Sequence, residues 1–526
     1  MPVKLAGFNV SAELVEKIKN GTLTDKEVAA LGPEPIAAAY ARISRDPRDV
    51  GKLREIARQK VVGARKSNAK IYFDMGHHTI AEHSVFNFDV IGVSRLAVED
   101  IEETRRGAVY TEKSQRYQKI GGNFVIPEDI TDPNDKTMFI DLIRFQDEQY
   151  EFMYGVLEQH FRSKFPDLDA LAVENMAKED ARYVTSLAQV AQLGMTINAR
   201  ALEKKIRNFL ANPKQETRQL GREFYDAAGK IAPSLIFLAT EEGFYQYWEE
   251  RAAEIEESNL EEAKRLRSLK YDNDHIKNTR KHLTRIVEEA VRETTTPDVA
   301  EKKYMHQDGN VRLVKHTQDP EIIMAATLIH QNSNETYARS LLRAHDLRSK
   351  GRLGKFLVDS VRYVGKHDSP PEVWESVHFA FEIIGSAAFF GQLKRHRVML
   401  TAKQRYDIEL GVKAPASFEE ANLISRLKRV EERTNRVYDQ LKTKYGVDIA
   451  EYVIMQAQQR RVHVDINARQ LAGIFTGLRC DRHAQAEIRD VANSMAKIAS
   501  ELTPSVKHLY SGKDTFDRAK AEAYEY

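Results

Sequence analysis

At 526 residues, with 42% apolar and 30% charged side chains, the chain is too long for one ordinary hydrophobic core and predicts two or more domains. A formal net charge of +2 gives no general pull toward nucleic acid. The single cysteine, Cys480, excludes an internal disulfide and a cysteine-rich zinc site, no apolar run reaches the ~20 residues a membrane helix needs, and Met1 to Val10 lacks a signal-peptide core, so a cytoplasmic protein without membrane partners is expected.

Residues 1–33 read as a helical preface closed by the breaker Leu31-Gly32-Pro33, and helical patterning follows from Pro35 to about Lys70. Next come Gly76-His-His-Thr-Ile-Ala-Glu-His83 and a strand-like alternation, Val85-Phe-Asn-Phe-Asp-Val-Ile91. Gly92-Val-Ser-Arg95 leads into a polar helical segment, Ser114-Gln-Arg-Tyr117 follows, and Gly121-Gly122 marks a turn. Residues 136–160 and 170–212 read as helices; 249–320 is densely charged and reads as a connector, with a helix at Leu283 to Val291. In the second half the apolar run Ile383 to Phe390 ends in Gln392-Leu-Lys-Arg-His-Arg397. Three cationic or cation-capable side chains at the exit of a buried element point to a bound anion, most simply a phosphate. Gln404-Arg405-Tyr406 lies shortly beyond.

The pattern occurs twice. Ile197-Asn-Ala-Arg200 recurs as Ile466-Asn-Ala-Arg469, and Glu216-Thr-Arg218 as Glu487-Ile-Arg489, each with a Pro-Ser 17 residues after the Glu, at Pro233 and Pro504. Ala181-Arg-Tyr-Val184 recurs as Ala450-Glu-Tyr-Val453, and Phe86-x-Phe88 then Gly92 as Phe379-x-Phe381 then Gly385. Matched order with matched spacing predicts an internal duplication: domain one at 1–248, a charged helical connector at 249–318 and domain two at 319–526. The repeat is far too long for a solenoid.

A guanidinium offers forked donors for phosphate and carboxylate oxygens. The candidates are Arg116, Arg182 and Arg200 in the first copy and Arg395, Arg397, Arg405 and Arg469 in the second; the alternative for each is a solvated residue or a structural ion pair. His77, His78, Glu82 and His83 have the composition of a metal site, but the second copy offers Glu372, Glu375 and Ser376 at matching places and loses the histidines. Thr79 with Glu82 fits a helix-capping pair or polar ligand contacts better than a metal. Cys480 beside Arg479 is either a nucleophile or a small buried residue. With no glycine-rich phosphate loop, a nucleotide would be held mostly by side chains.

At these residues the sequence resembles the flavin-dependent thymidylate synthases, in tandem, over roughly 35–240 and 320–510. The residues that carry the resemblance are Arg395-His-Arg397, Glu112-Lys-Ser-Gln-Arg-Tyr117, the Glu-His element before Phe-x-Phe, the two Asn-x-Arg motifs and Arg479-Cys-Asp-Arg-His-Ala-Gln-Ala-Glu-Ile488. The resemblance implies an α/β (α+β) fold of two homologous domains, each a central, mainly antiparallel sheet with flanking helices. It implies methylation of dUMP at C5 with methylenetetrahydrofolate, FAD carrying reducing equivalents from NADPH. It assigns catalytic roles to Arg479 and Ser114, nucleotide binding to Gln392, Arg395, Glu112, Gln115, Arg116 and Arg182, and flavin contacts to Thr79, Glu82, Glu372, Glu375, Arg395, His396, Arg397, Asn198, Arg200, Asn467 and Arg469. No metal is implied.

Each copy departs from the pattern in a different half. The first replaces Arg-His-Arg with Glu102-Glu-Thr-Arg-Arg106, has Val109 for the motif's first Ser, and has Asn208 where the second has Arg479. The second has a loop two residues shorter, Thr401-Ala-Lys-Gln-Arg-Tyr406, with Lys403 read as its Ser, and Glu451 at the position of Arg182. In the family, one subunit gives the Arg-His-Arg part and a neighbour gives the loop. The losses are complementary under that scheme. One composite site is expected, pairing Gln392, Arg395 and Arg479 with Glu112 to Arg116 and Arg182, and two chains are expected to form a pseudo-tetramer of domains. A binding relative without activity, a flavin enzyme on another pyrimidine nucleotide and a structural helical protein are the other readings.

Overall fold

The computed structural model describes residues 2–118, 120, 122–272, 274–294 and 307–524. Among its elements, the first half runs β1 (Val3–Phe8), β2 (Val85–Ser94), α1 (Arg95–Ile101), β3 (Ala108–Glu112), α2 (Pro133–Lys164), β4 (Val190–Asn198), α3 (Ala199–Leu210) and α4 (Gln215–Gly229). Helix α5 (Asp274–Glu293) precedes the second half, which runs β5 (Gln307–Asp308), β6 (Val311–His316), β7 (His378–Ser386), α6 (Ala387–Leu393), β8 (Leu400–Lys403), α7 (Ile424–Tyr445), β9 (Gln459–Asn467) and α8 (Ala486–Leu502). The two sheets are ordered β1-β2-β4-β3 and β5-β6-β7-β9-β8, with antiparallel pairing throughout. Apart from the two-residue β5, the order is the same. The fold is mixed α and β (α+β), two antiparallel sheets with flanking helices. Among the described residues no helix is long and apolar enough to cross a membrane.

Alternation builds the central strands. Phe86, Phe88 and Val90 of β2 are buried while Asn87 and Asp89 face out, and Phe379, Phe381 and Ile383 of β7 are likewise buried. A bulge interrupts β2 between Ile91 and Val93, where Gly92 takes φ +79°, a left-handed conformation that favours glycine. β7 pairs without a break, so the first half carries one extra residue here. Both strands end on a serine that caps the next helix: Ser94 Oγ accepts from Ala97 N, and Ser386 Oγ from Phe389 N.

The halves share a core. Phe139, Leu142 and Ile143 of α2 are buried in one cluster with Val437 and Leu441 of α7 and with Tyr452, Val453 and Ile454. Each such side chain contributes about 1.5–3 kcal/mol by leaving water. Two backbone bonds join the halves reciprocally, Leu187 N to Ile454 O and Gln456 N to Thr185 O, both 2.9 Å. Tyr183 Oη donates to Glu487 (2.7 Å) and Tyr452 Oη to Glu216 (2.6 Å), so the repeated Glu of each half receives the other half's tyrosine.

Three expectations change. Val190–Asn198 forms β4, paired on both sides with β2 and β3, inside the stretch 170–212 read as helix; its partners in the sheet, distant in sequence, override the local pattern. Residues 3–8 form β1, paired with β2, inside the stretch read as a helical preface; an edge strand is decided by its distant partner, which local pattern does not encode. Strands β5 and β6 likewise join the second sheet from within the stretch read as connector. The helix expected at Leu283 to Val291 is part of α5.

Candidate functional site

Helix α6 is buried along its whole length, and Gln392 is only 6% exposed. The chain then emerges with Lys394, Arg395 and His396. Arg479 returns to this exit. Its Nε donates to His396 Nε2 (2.7 Å), and its Nη1 and Nη2 donate to Gln392 Oε1 (3.2 Å) and Gln392 O (3.1 Å). His396 must be neutral at the accepting nitrogen. Burial, with the charges of Arg479 and Arg395, holds its pKa down to about 3, and its ring packs edge-on against Phe475 at 4.8 Å. A π-helical turn, Leu471–Phe475, precedes Arg479; in the first half α3 runs through the matching region as regular helix. Arg479 stands 12 residues after Asn467 and Asn208 stands 10 after Asn198, and the wider π-helical turn takes up part of that difference.

The first half's loop approaches from the other side. Glu112 ends β3 in a buried position. It forms an ion pair with Arg95 and has Arg395 Nη2 at 3.6 Å and Lys394 Nζ at 4.0 Å. Ser114 Oγ accepts from Arg116 N (3.2 Å). Arg116 pairs with Glu179 and donates through Nη2 to His483 O of the second half (3.0 Å). Arg182 is 3% exposed; its Nε donates to Glu179 O (3.2 Å), while its Nη2, like Gln115 Oε1, is buried without a hydrogen-bond partner. The cations act on one another. Burial, with repulsion from Arg395 and Arg116, brings Arg479 down to about 10, and burial with repulsion from Arg182 brings Arg95 to about 10. The residues expected to pair across the two copies therefore meet within one chain. Arg95 and Arg395 gather at Glu112, and Arg116 and Arg182 at Glu179, an arrangement of guanidinium groups suited to an anion. Beside it a cleft of about 590 Å³ is lined by Arg395, Arg397 and Arg479 and by the apolar Val109, Ile474 and Phe475.

Strand register settles which residues correspond. Glu112 lies opposite Leu193 and Lys403 opposite Val462, each five residues before the strand-ending Asn198 or Asn467. Lys403 therefore stands at the place of Glu112, which corrects its reading as the counterpart of Ser114. Counting from the capping serines, Glu102 and Glu103 match Lys394 and Arg395, and Arg105 matches Arg397. With Arg182 against Glu451, four positions are inverted in charge. In the second arrangement Lys403 reaches Glu103 (2.9 Å) and Glu99 (3.7 Å), Arg460 reaches Glu99 (3.0 Å), and Arg405 reaches Asp448 (3.0 Å) and Glu451 (3.6 Å).

The other expected flavin residues sit at strand ends and short helical turns, with Asn198 N donating to the O of Gly107, which lines the cleft. Asn198 and Asn467 cap helical turns, accepting from Ala201 N and Gln470 N. Arg200 pairs with Glu82 (2.5 Å) and Arg469 with Glu375 (2.9 Å), one matching pair in each half. Thr79 and Glu372 are exposed in short 3-10 turns; Thr79 lies inside its turn, whose cap is His77, so it is not the capping residue expected. His78 packs on Tyr72 and His83 on Tyr40. Among the described residues no three His, Cys, Asp or Glu side chains converge as a metal site would require. Burial pushes the Cys480 thiol up to about 12, which removes the nucleophile reading.

Sequence reasoning passed over Arg95, Lys394 and Arg105. Arg95 opens a segment expected to be polar and solvated, yet all of α1 but one residue is buried. The available signal was the serine cap after an apolar strand, which aims the first helical turn inward. Arg105 donates to Val398 O (2.8 Å) and Arg397 O (3.3 Å), so the first half's altered motif braces the second half's Arg-His-Arg.

The sequence profile of the family described as thymidylate synthase complementing protein matches residues 27–234 and 312–505. A flavin-dependent thymidylate synthase of Clostridium tetani is 30% identical over 39% of this chain and 81% of its own length. A UPF0159 protein of Thermoplasma acidophilum is 21% identical over 85% of this chain and 88% of its own. Among solved structures, a flavin-dependent thymidylate synthase from Helicobacter pylori, complexed with FAD and dUMP, aligns with a TM-score of 0.29 at 16% identity, over 45% of this chain and 100% of its own. A UMP/dUMP methylase from Streptomyces cacaoi bound with 5-Br dUMP aligns with a TM-score of 0.30 at 19% identity, over 39% of this chain and 95% of its own.

Proposed function

The chain belongs to the thymidylate synthase complementing protein family, and from that premise we propose that it methylates dUMP at C5, with FAD as cofactor and methylenetetrahydrofolate and NADPH as co-substrates, in one composite site per chain. The observation that carries the reading is the unpartnered, buried Nη2 of Arg182 within a surplus of guanidinium groups drawn from both halves. A buried cationic donor without an acceptor is costly unless a ligand supplies one, and a nucleotide phosphate does so.

The side chains divide the work. Arg182, Arg116 and Ser114 hold the phosphate, and Glu112 accepts from the sugar or base. Gln392 and Arg395 orient the pyrimidine. Arg479, fixed by neutral His396 and by Gln392, directs its charge at the ring and stabilises negative charge developing there. The cleft fits a flat, partly apolar ring system with anionic substituents: Phe475 and Ile474 offer a wall for a flavin, and Arg395 and Arg397 offer donors. When bound, FAD supplies the redox chemistry; the protein binds and orients. The second arrangement, with its charges paired internally, takes no nucleotide. Two chains would provide the four domains of a pseudo-tetramer.

The test is purification with flavin absorbance, followed by tritium release from 5-tritiated dUMP. Release that depends on reduced flavin and is lost in Arg182→Ala and in Arg395→Ala is expected. A protein that binds flavin and dUMP but releases no tritium would establish a binding relative instead.

A further inference from the structure

We propose that Arg95 is a positioning residue of the composite site: it neutralises Glu112 from behind and so leaves Arg395 free to face the ligand. The proposal rests on the nucleotide-binding reading above. Arg95 is the first residue after the capping Ser94, and the matching residue after Ser386 is Ala387, so only the first half carries it. The side chain is buried, with the residue 5% exposed. Nη1 pairs with Glu112 Oε1, and Nη2 lies against Gly391, where an added Cβ would come within 2.8 Å. Glu99 and Glu102 attract it, and Arg182 and Arg395 repel it.

The geometry around Glu112 explains why such a residue matters. The carboxylate is buried, and Arg95 is its one close cation. Its other cations are further off, Lys394 at 4.0 Å and Arg395 at 3.6 Å. Lys394 is already committed to Glu102 at 3.0 Å. Arg395 is the exposed one, with a side chain 40% exposed on the cleft. Without Arg95, Glu112 would be a buried charge short of a partner, and the least costly repair is for Arg395 to close its gap. That movement withdraws the guanidinium from the cleft. Arg95 thus acts on the ligand only through Glu112 and Arg395.

Three variants of the full chain test this: Arg95→Ala, Gly391→Ala, whose new methyl displaces the Arg95 guanidinium while keeping it in the protein, and Arg95→Ala in a Glu112→Gln background. Calorimetry with dUMP should show at least about tenfold weaker binding for the first two. The loss caused by Arg95→Ala should shrink to within about threefold when Glu112 is already Gln, because no carboxylate then draws Arg395 away. A merely structural role would cost the same in both backgrounds, and that result overturns the proposal. The crystal structure of Arg95→Ala, or of Gly391→Ala if the former does not fold, supplies a reading independent of ligand. Arg395 in hydrogen-bonding contact with Glu112 supports the proposal; Arg395 still 3.6 Å away and facing the cleft overturns it. If the unsubstituted protein binds no dUMP, the proposed function fails, and the crystal structures alone decide the role of Arg95.

Discussion

The two halves place a charged cluster at equivalent positions, and the clusters have opposite logic. At Glu112 the cations Arg95 and Arg395 gather, with Lys394 shared between it and Glu102, and Arg95 Nε and Arg182 Nη2 are buried without a hydrogen-bond partner. Around Lys403 the acids Glu99 and Glu103 close on the cation, Arg460 closes on Glu99, and Arg405 offsets Glu451. In the first arrangement guanidinium groups come from both halves; in the second the ion pairs run between the halves and within the second half, and Arg460 Nε and Nη1, buried like Arg182 Nη2 without a hydrogen-bond partner, belong to a guanidinium stacked on Tyr406 and Phe390. Glu451 stands for Arg182, Lys403 for Glu112 and Glu103 for Arg395, so one duplicated scaffold carries two clusters of inverted charge.

The largest effect expected from breaking that contrast is on stability. Glu99→Ala leaves Arg460, itself 3% exposed, without its carboxylate. Removing one member of a buried pair costs about 3–5 kcal/mol, which a lowered denaturant midpoint would register. A midpoint equal to that of the unsubstituted protein would mean that the ion pairs between the halves do not hold them together. Next comes Arg182→Ala, which should weaken dUMP binding about tenfold to a hundredfold, the worth of one charged hydrogen bond of about 1.5–3 kcal/mol. Glu451→Ala, at the matching place, should leave that affinity within about twofold, because it belongs to the other arrangement. Equal losses from the two would erase the asymmetry.

A smaller effect follows from His396. The unfolded chain takes up its proton near the ordinary value of 6.5, and the folded chain only near 3. Its contribution to stability is therefore complete above about pH 6.5 and is lost as pH falls from there toward 3. Thermal melts between pH 7 and 4 should show this decline, and His396→Asn should flatten it; the third residue after α6 compares directly with the third after α1, since Thr104 of the first half does not titrate. The smallest effect is expected at the exposed pairs that the halves share. Glu82→Ala and Glu375→Ala should each cost about 0–1 kcal/mol, as solvent-exposed ion pairs do. A loss several times larger in one of them would reveal a second point where the halves differ.

Much of this was legible in the chain itself. The matched spacings of Asn198 and Asn467, of Glu216 and Glu487, and of the Phe-x-Phe strands identify the repeat, because strand alternation and helix caps recur with the backbone they build. The complementary departures, Glu451 for Arg182 and the altered Arg-His-Arg, single out the residues that meet around Glu112. Local pattern could not supply β1, β4 or β6, since each becomes a strand only by pairing with β2 or β7. Nor could it align the loops: the bulge at Gly92 adds a residue that only the ladder register reveals, and with it Lys403 moves from the place of Ser114 to that of Glu112.

By itself, then, the sequence determined the duplication, the family and the set of charged residues held by one half and lost by the other. Tertiary structure decided that these residues converge within a single chain, that Arg95 and Lys394 join them, and that the counterpart cluster forms ion pairs between the halves. Charges compensate through distances of a few ångströms, and those distances arise between residues nearly three hundred positions apart, such as Glu112 and Arg395 at 3.6 Å. Spacing along the chain fixes which face of an element a residue occupies; only the packing of the two halves about their shared core fixes what that face meets.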